Sequence, residues 1–169
     1  RADYINLLQT LDTHFATNDF LLGPRPCLAD FALAGACKAH FVTDPLPVSW
    51  LGQYRTMLFA YTDRLFGDSR YVDRNWPAND TVPDSLQGVL DYTLGTYFQF
   101  AGANIAAGLA GEKYYEYDYG FGATRARTQK RLNVARLHVQ DELLRLGASG
   151  HDSIDALFGR RGILEYYLD

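Results

Sequence analysis

Apolar residues fall at Tyr4, Leu7, Leu8, Leu11 and Phe15, with gaps of three, one, three and four that line one face of a helix. The pattern lapses at Thr17-Asn18-Asp19. Phe20-Leu21-Leu22-Gly23-Pro24-Arg25-Pro26 then reads as a tight apolar connection, punctuated by glycine and two prolines. A second helix follows, with Leu28, Phe31, Leu33, Ala34, Cys37 and Phe41 as its apolar positions and Pro45 beyond its end. With Cys27 as N-cap, Asp30 takes the third helical position. A carboxylate there accepts backbone N–H bonds and faces the positive end of the helix dipole. A third helix is predicted from Val48 to Phe66 through Leu51, Tyr54, Leu58, Tyr61 and Leu65, closed by Gly67.

Asp68–Asp80 has no apolar period and reads as a loop carrying Trp76-Pro77. Thr81-Val82-Pro83-Asp84 has the form of a helix start, with Thr81 as N-cap, proline in the first turn and Asp84 at the third position. The helix is predicted to reach Gly111 through Leu86, Leu90, Leu94, Phe98, Ala101, Ile105 and Leu109. Its stretch Tyr92–Gly111 has no charged residue. Thr93, Thr96, Gln99, Asn104 and four glycines make that stretch too polar for a membrane span, so a buried central helix is expected and no membrane partner. In Glu112–Gly122, Tyr115, Tyr117, Tyr119 and Phe121 alternate with Glu116, Asp118 and Gly120, the period of an extended segment with an aromatic face. A last long helix is predicted over Ala123–Leu146 on the stripe Leu132, Ala135, Val139, Leu143 and Leu146. A short turn near Asp152–Phe158 and the aromatic tail Ile163–Leu168 follow. No β-rich region or internal repeat appears, and the expected fold is all-α.

The 169 residues are one domain's worth, enough to bury roughly 70% of the unfolded surface. A net charge of −4 excludes a strongly basic nucleic-acid binder. Two cysteines are too few for a disulfide scaffold. With no apolar leader segment, they lead to the expectation of a cytoplasmic protein. The chain opens on Arg1 with the helical period already running at Tyr4, which reads as a piece of a longer protein. His14, His40, His138 and His151 stand at no metal-ligand spacing, so no metal is expected.

Candidate chemistry gathers in two places. Cys27, at a helix N-terminus, is either a thiolate favoured by the dipole or a small residue filling a cap site, whereas Cys37 belongs to the apolar face. Tyr115, Tyr117 and Tyr119 form either a lid over an apolar ligand or an aromatic flap on the glycine-rich helix end. Arg125 and Arg136 fall on the same stripe as Leu132 and Leu143. There they either meet a buried carboxylate such as Asp91 or clamp an anion beside the tyrosines. These five residues are the candidate substrate-binding set. Arg127, Lys130 and Arg131 fall opposite and are expected in solvent.

Phe20-Leu21-Leu22-Gly23, Pro26-Cys27-Leu28-Ala29-Asp30-Phe31-Ala32-Leu33, Ala39-His40-Phe41 and Asp44-Pro45 resemble the C-terminal domain of the glutathione transferase family. The family normally carries Ser or Thr where Cys27 stands, and Cys caps less well by about 1 kcal/mol. Asp80-Thr81-Val82-Pro83-Asp84-Ser85-Leu86 resembles the start of the helical extension that some bacterial members carry. The resemblance implies a helical bundle with core helices in 1–67 and an extension over 68–169. It also implies a hydrophobic pocket for an apolar small-molecule substrate, and a homodimer. Glutathione is implied as the cofactor of the parent protein, bound chiefly by a thioredoxin-like domain that is not in this chain. The chain alone would then be catalytically incomplete. The same helical domain also serves as a protein-interaction module, which is the alternative reading, together with small-ligand binding.

Overall fold

The computed structural model describes residues 2–67, 71, 73–78, 81–118, 120, 122–158 and 163–168, with the backbone alone at 96 and 165. It is mostly helical and carries one two-stranded sheet among the described residues. The chain divides into two compact units, Arg1–Val89 and Leu90–Asp169.

In the first unit, α1 (Ala2–Phe15) and α2 (Leu28–Ala36) are where the periodicity puts them, and α2 runs on into a π-helical turn, Cys37–Phe41. The single third helix of the sequence reading is divided. α3 (Pro45–Trp50) and a 3₁₀ turn (Gly52–Tyr54) precede α4 (Arg55–Gly67), and Gly52 makes the break by taking a left-handed conformation with φ 50°. α4 packs on α1 and α2. Leu8, Cys37, Leu51 and Leu58 form the core, with Tyr4, Leu33 and Phe41 packed against it. Full burial of each such aliphatic side chain contributes about 1.5–3 kcal/mol. Phe15 stacks on Tyr61 at 4.2 Å between ring centres.

Two expectations for α2 need correction. Leu28 is 85% and Phe31 45% exposed, so the N-terminal apolar positions do not enter the core. The buried face instead follows Asp30, Ala34 and Cys37, at i, i+4 and i+7. Leu28 projects from the opposite side and Phe31 from the flank.

The helix expected to start at Thr81 starts at Leu86 (α5, Leu86–Leu109). Thr81 does not cap it. Its hydroxyl donates to the Ala78 carbonyl at 2.8 Å, and Asp84 stands in the turn whose carbonyls receive the N–H groups of Leu86 and Gln87. The first turn of α5 lies close to α1, since a Cβ on Gly88 would come within 3.2 Å of the Thr10 methyl.

In the second unit, Tyr114–Tyr117 (β1) is extended, as the alternation predicts. Thr124–Arg127 is not the first turn of a helix but a strand (β2) paired antiparallel to β1, Tyr115 opposite Ala126 and Tyr117 opposite Thr124. A backbone already extended and alternating in β1 offers a ladder that a β-branched, alternating partner can complete. The last long helix therefore begins at Lys130 (α6, Lys130–Arg145). α7 (Ala148–Leu157) is longer than the expected turn, and α8 (Ile163–Leu168) packs on both α6 and α7. Tyr119 and Phe121 lie outside the described residues.

Candidate functional site

Asp30 is fully buried, and its carboxylate gathers four donors. Oδ1 accepts from the Leu21 N–H at 2.9 Å and the Tyr61 hydroxyl at 3.1 Å. Oδ2 accepts from the Cys27 N–H at 2.9 Å and the Cys27 thiol at 3.1 Å. One side chain therefore ties the Phe20–Gly23 turn, the N-terminus of α2 and the middle of α4. The sequence expectation that Asp30 serves the N-terminus of its helix holds in this geometry. Cys27 does not offer a thiolate there. Burial pushes its thiol up, and donation to Asp30 adds to that shift. Burial likewise pushes Cys37 up to about 12.

His14 closes the same region. It is fully buried at the end of α1, with Nε2 3.1 Å from the Phe20 carbonyl and Nδ1 2.9 Å from the Ser85 hydroxyl. A carbonyl only accepts, so Nε2 carries the proton and Nδ1 accepts from Ser85. Asn18 also donates to the Ser85 oxygen, at 3.1 Å. Burial holds the imidazole below its ordinary value, against the opposing pull of its hydrogen bonds. Asp19, one residue before the Phe20–Gly23 turn, receives Arg74 Nη1 at 2.7 Å and lies 3.8 Å from Arg64 Nε.

Two clefts flank this turn. One, of about 290 Å³, is lined by Phe15, Ala16, Thr17, Asn18, Asp19, Gly23 and Pro24. The other, of about 340 Å³, is lined by Leu22, Trp76, Pro77, Thr81 and Val82 and is the more apolar. Arg25 lies 5.1 Å over the Trp76 ring. In the sequence Trp76 falls in a loop without an apolar period, where the Trp-Pro pair is the one available sign of local packing.

The tyrosine and arginine set is divided between different surroundings. Tyr115 and Tyr117 share the inner face of the hairpin and lie against Phe100 of α5, at 6.3 and 5.4 Å between ring centres. The Tyr115 hydroxyl is buried without a hydrogen-bond partner among the described residues, as are Thr128 Oγ1 and Asn133 Oδ1. Arg125 is not on a helical stripe. It stands on the outer face of β2, exposed, 4.5 Å over the Tyr114 ring. Arg136 is on α6, half-buried, and donates through Nε and Nη2 to the Tyr166 carbonyl at 3.3 and 3.2 Å. Asp91, the carboxylate suggested for these arginines, is exposed and not buried. Arg127, Lys130 and Arg131 are exposed, although Arg127 stands on β2 and only Lys130 and Arg131 are on α6.

Among the described residues no group of His, Cys, Asp and Glu is arranged to hold a metal ion, and no helix is long and apolar enough to cross a membrane. Comparison of the chain with family models, curated proteins and solved structures finds no match.

Proposed function

We propose that this chain is the helical C-terminal part of a glutathione-transferase-like protein, shaping the apolar side of a substrate pocket and supporting the fold without a nucleophile of its own. The supporting observation is the turn built on Asp30, whose carboxylate binds the amides of Leu21 and Cys27 within the segment that resembles the family. Thiol chemistry would then belong to glutathione held elsewhere in the parent, because Cys27 and Cys37 are both held protonated. The Leu22–Trp76 cleft has the lining and size to take part of a small apolar substrate. The exposed Leu28 and Phe31 suit a helix that packs against a further domain.

The same exposed face supports the second reading, a non-catalytic protein-interaction module, since it needs a partner but no chemistry. Chromatography of the full-length parent on immobilised glutathione separates the two. Retention and release by free glutathione is the expected result. A parent that flows through, and whose Leu28 and Phe31 face instead binds a stable protein partner, selects the second reading.

A further inference from the structure

α6 presents two apolar stripes. One carries Leu132 and Leu143 on the side that packs against α8. The other lies roughly opposite and is uncovered: Val134 is 53%, Leu137 54% and Leu144 65% exposed. Lys130 and Asp141 belong to this second stripe, both exposed, and neither forms an ion pair among the described residues. The order along the stripe is Lys130, Val134, Leu137, Asp141, with steps of four, three and four, which is the spacing of a helix-pairing seam.

From this order we propose that the Lys130–Leu144 face of α6 is a self-association surface, on which a second copy of the chain lays its own α6 antiparallel. Turning the sequence end for end sets Lys130 against Asp141, Val134 against Leu137, Leu137 against Val134 and Asp141 against Lys130. Opposite charges meet at both ends and apolar residues meet in the middle. A two-fold axis then makes one patch serve both partners. In the same register Glu142 meets the neutral Gln129 and Arg131 meets the neutral Gln140, so these neighbours bring no like charges together. The two charge pairs sit at the rim, where they set register and orientation more than affinity.

Other occupants fit less well. An anionic membrane surface would be repelled by Asp141 within the stripe and by Glu142 beside it. A partner of a single charge sign would leave one end of the stripe opposed to like charge. The seam from Lys130 to Asp141 is only about 17 Å long. The dimer is therefore small in area and concentration-dependent, dissociating in the micromolar range or above.

Sedimentation velocity on the whole chain over roughly 10–500 µM reads this directly. The expected result is a reversible monomer–dimer equilibrium. Leu137→Glu should weaken it by about tenfold or more, with the circular dichroism and melting temperature of the monomer unchanged. Lys130→Asp alone and Asp141→Lys alone should each weaken it, and the two combined in one chain should restore it. A monomer at every concentration overturns the proposal. So does a dimer indifferent to Leu137→Glu, or single charge reversals that the double reversal fails to rescue. A Leu137→Glu chain that loses monomer stability also overturns it, because the face would then be covered within one chain.

Discussion

The Tyr61 hydroxyl lies 3.1 Å from the Asp30 carboxylate and 3.2 Å from the Asp30 main-chain carbonyl. A buried phenol on α4 thereby fixes both the side chain and the backbone at the start of α2. Burial and the adjacent carboxylate push its own ionisation far up, so it acts as a neutral donor throughout the accessible pH range. Tyr61→Phe keeps the ring that stacks on Phe15 and removes only the donor. Urea denaturation should show a loss of about 1–2 kcal/mol, with the far-UV circular dichroism unchanged.

Cys27 occupies a position where Ser would serve better. Ser retains a donor toward Asp30 and adds an oxygen able to accept a backbone N–H. Cys27→Ser should therefore stabilise the chain by up to about 1 kcal/mol, whereas Cys27→Ala should gain nothing. Denaturant midpoints measured side by side at a fixed slope check this.

Both thiols are held protonated by burial, and Cys27 also by its hydrogen bond to Asp30. In the native state at pH 7–8 they should react with a disulfide reagent much more slowly than a free thiol. Both should react promptly after unfolding in guanidinium. A fast native-state phase assigned to Cys27 by mass spectrometry would reinstate it as a nucleophile.

His14 gives the chain a pH dependence with a defined sign. Its folded value is lowered from 6.5, so the unfolded state binds the proton more readily. The contribution of neutral His14 is fully present above about pH 6.5 and is lost as the pH falls through the lower folded value. Stability measured in urea should decline on acidification from about pH 7 to 5, and replacing His14 by Gln should flatten that decline.

Asn104 is fully buried in α5 and forms a reciprocal pair with the Gln129 backbone, accepting its N–H at 2.7 Å and donating to its carbonyl at 3.1 Å. Gln129 precedes the first turn of α6. Asn104→Ala should cost about 1–3 kcal/mol by stranding two backbone groups. Hydrogen exchange at the start of α6 should rise more than in α1.

The parts legible in the sequence are those governed by local period. α1, the start of α2 and the extended Tyr114–Tyr117 segment follow from spacing alone, and the Asp30 contact follows from cap chemistry. The misread parts depend on partners distant in sequence. Thr124–Arg127 reads as helix until β1 supplies a ladder. The break at Gly52 looked like one residue within a longer apolar period. Leu28 and Phe31 looked like core because periodicity reports an apolar face without reporting what covers it. The Asp30–Tyr61 bond joins residues 31 apart, and the His14–Ser85 bond joins residues 71 apart. No spacing rule reaches either. Arg136 found a carbonyl on α8 for the same reason.

The decisive comparison sets Asp30→Ala against Phe31→Ser in equilibrium urea unfolding of the same chain. Removing the carboxylate strands the N–H groups of Leu21 and Cys27 and leaves the Tyr61 hydroxyl only the Asp30 carbonyl, so a loss of about 3–5 kcal/mol is expected, with α2 unprotected in hydrogen exchange. The neighbouring serine replaces a side chain that lies on the uncovered face, so a change within about 0.5 kcal/mol is expected. The reverse order, a tolerated alanine at position 30 and a collapse at position 31, would mean that α2 is seated by its apolar residues and that the carboxylate-centred turn does not organise the fold.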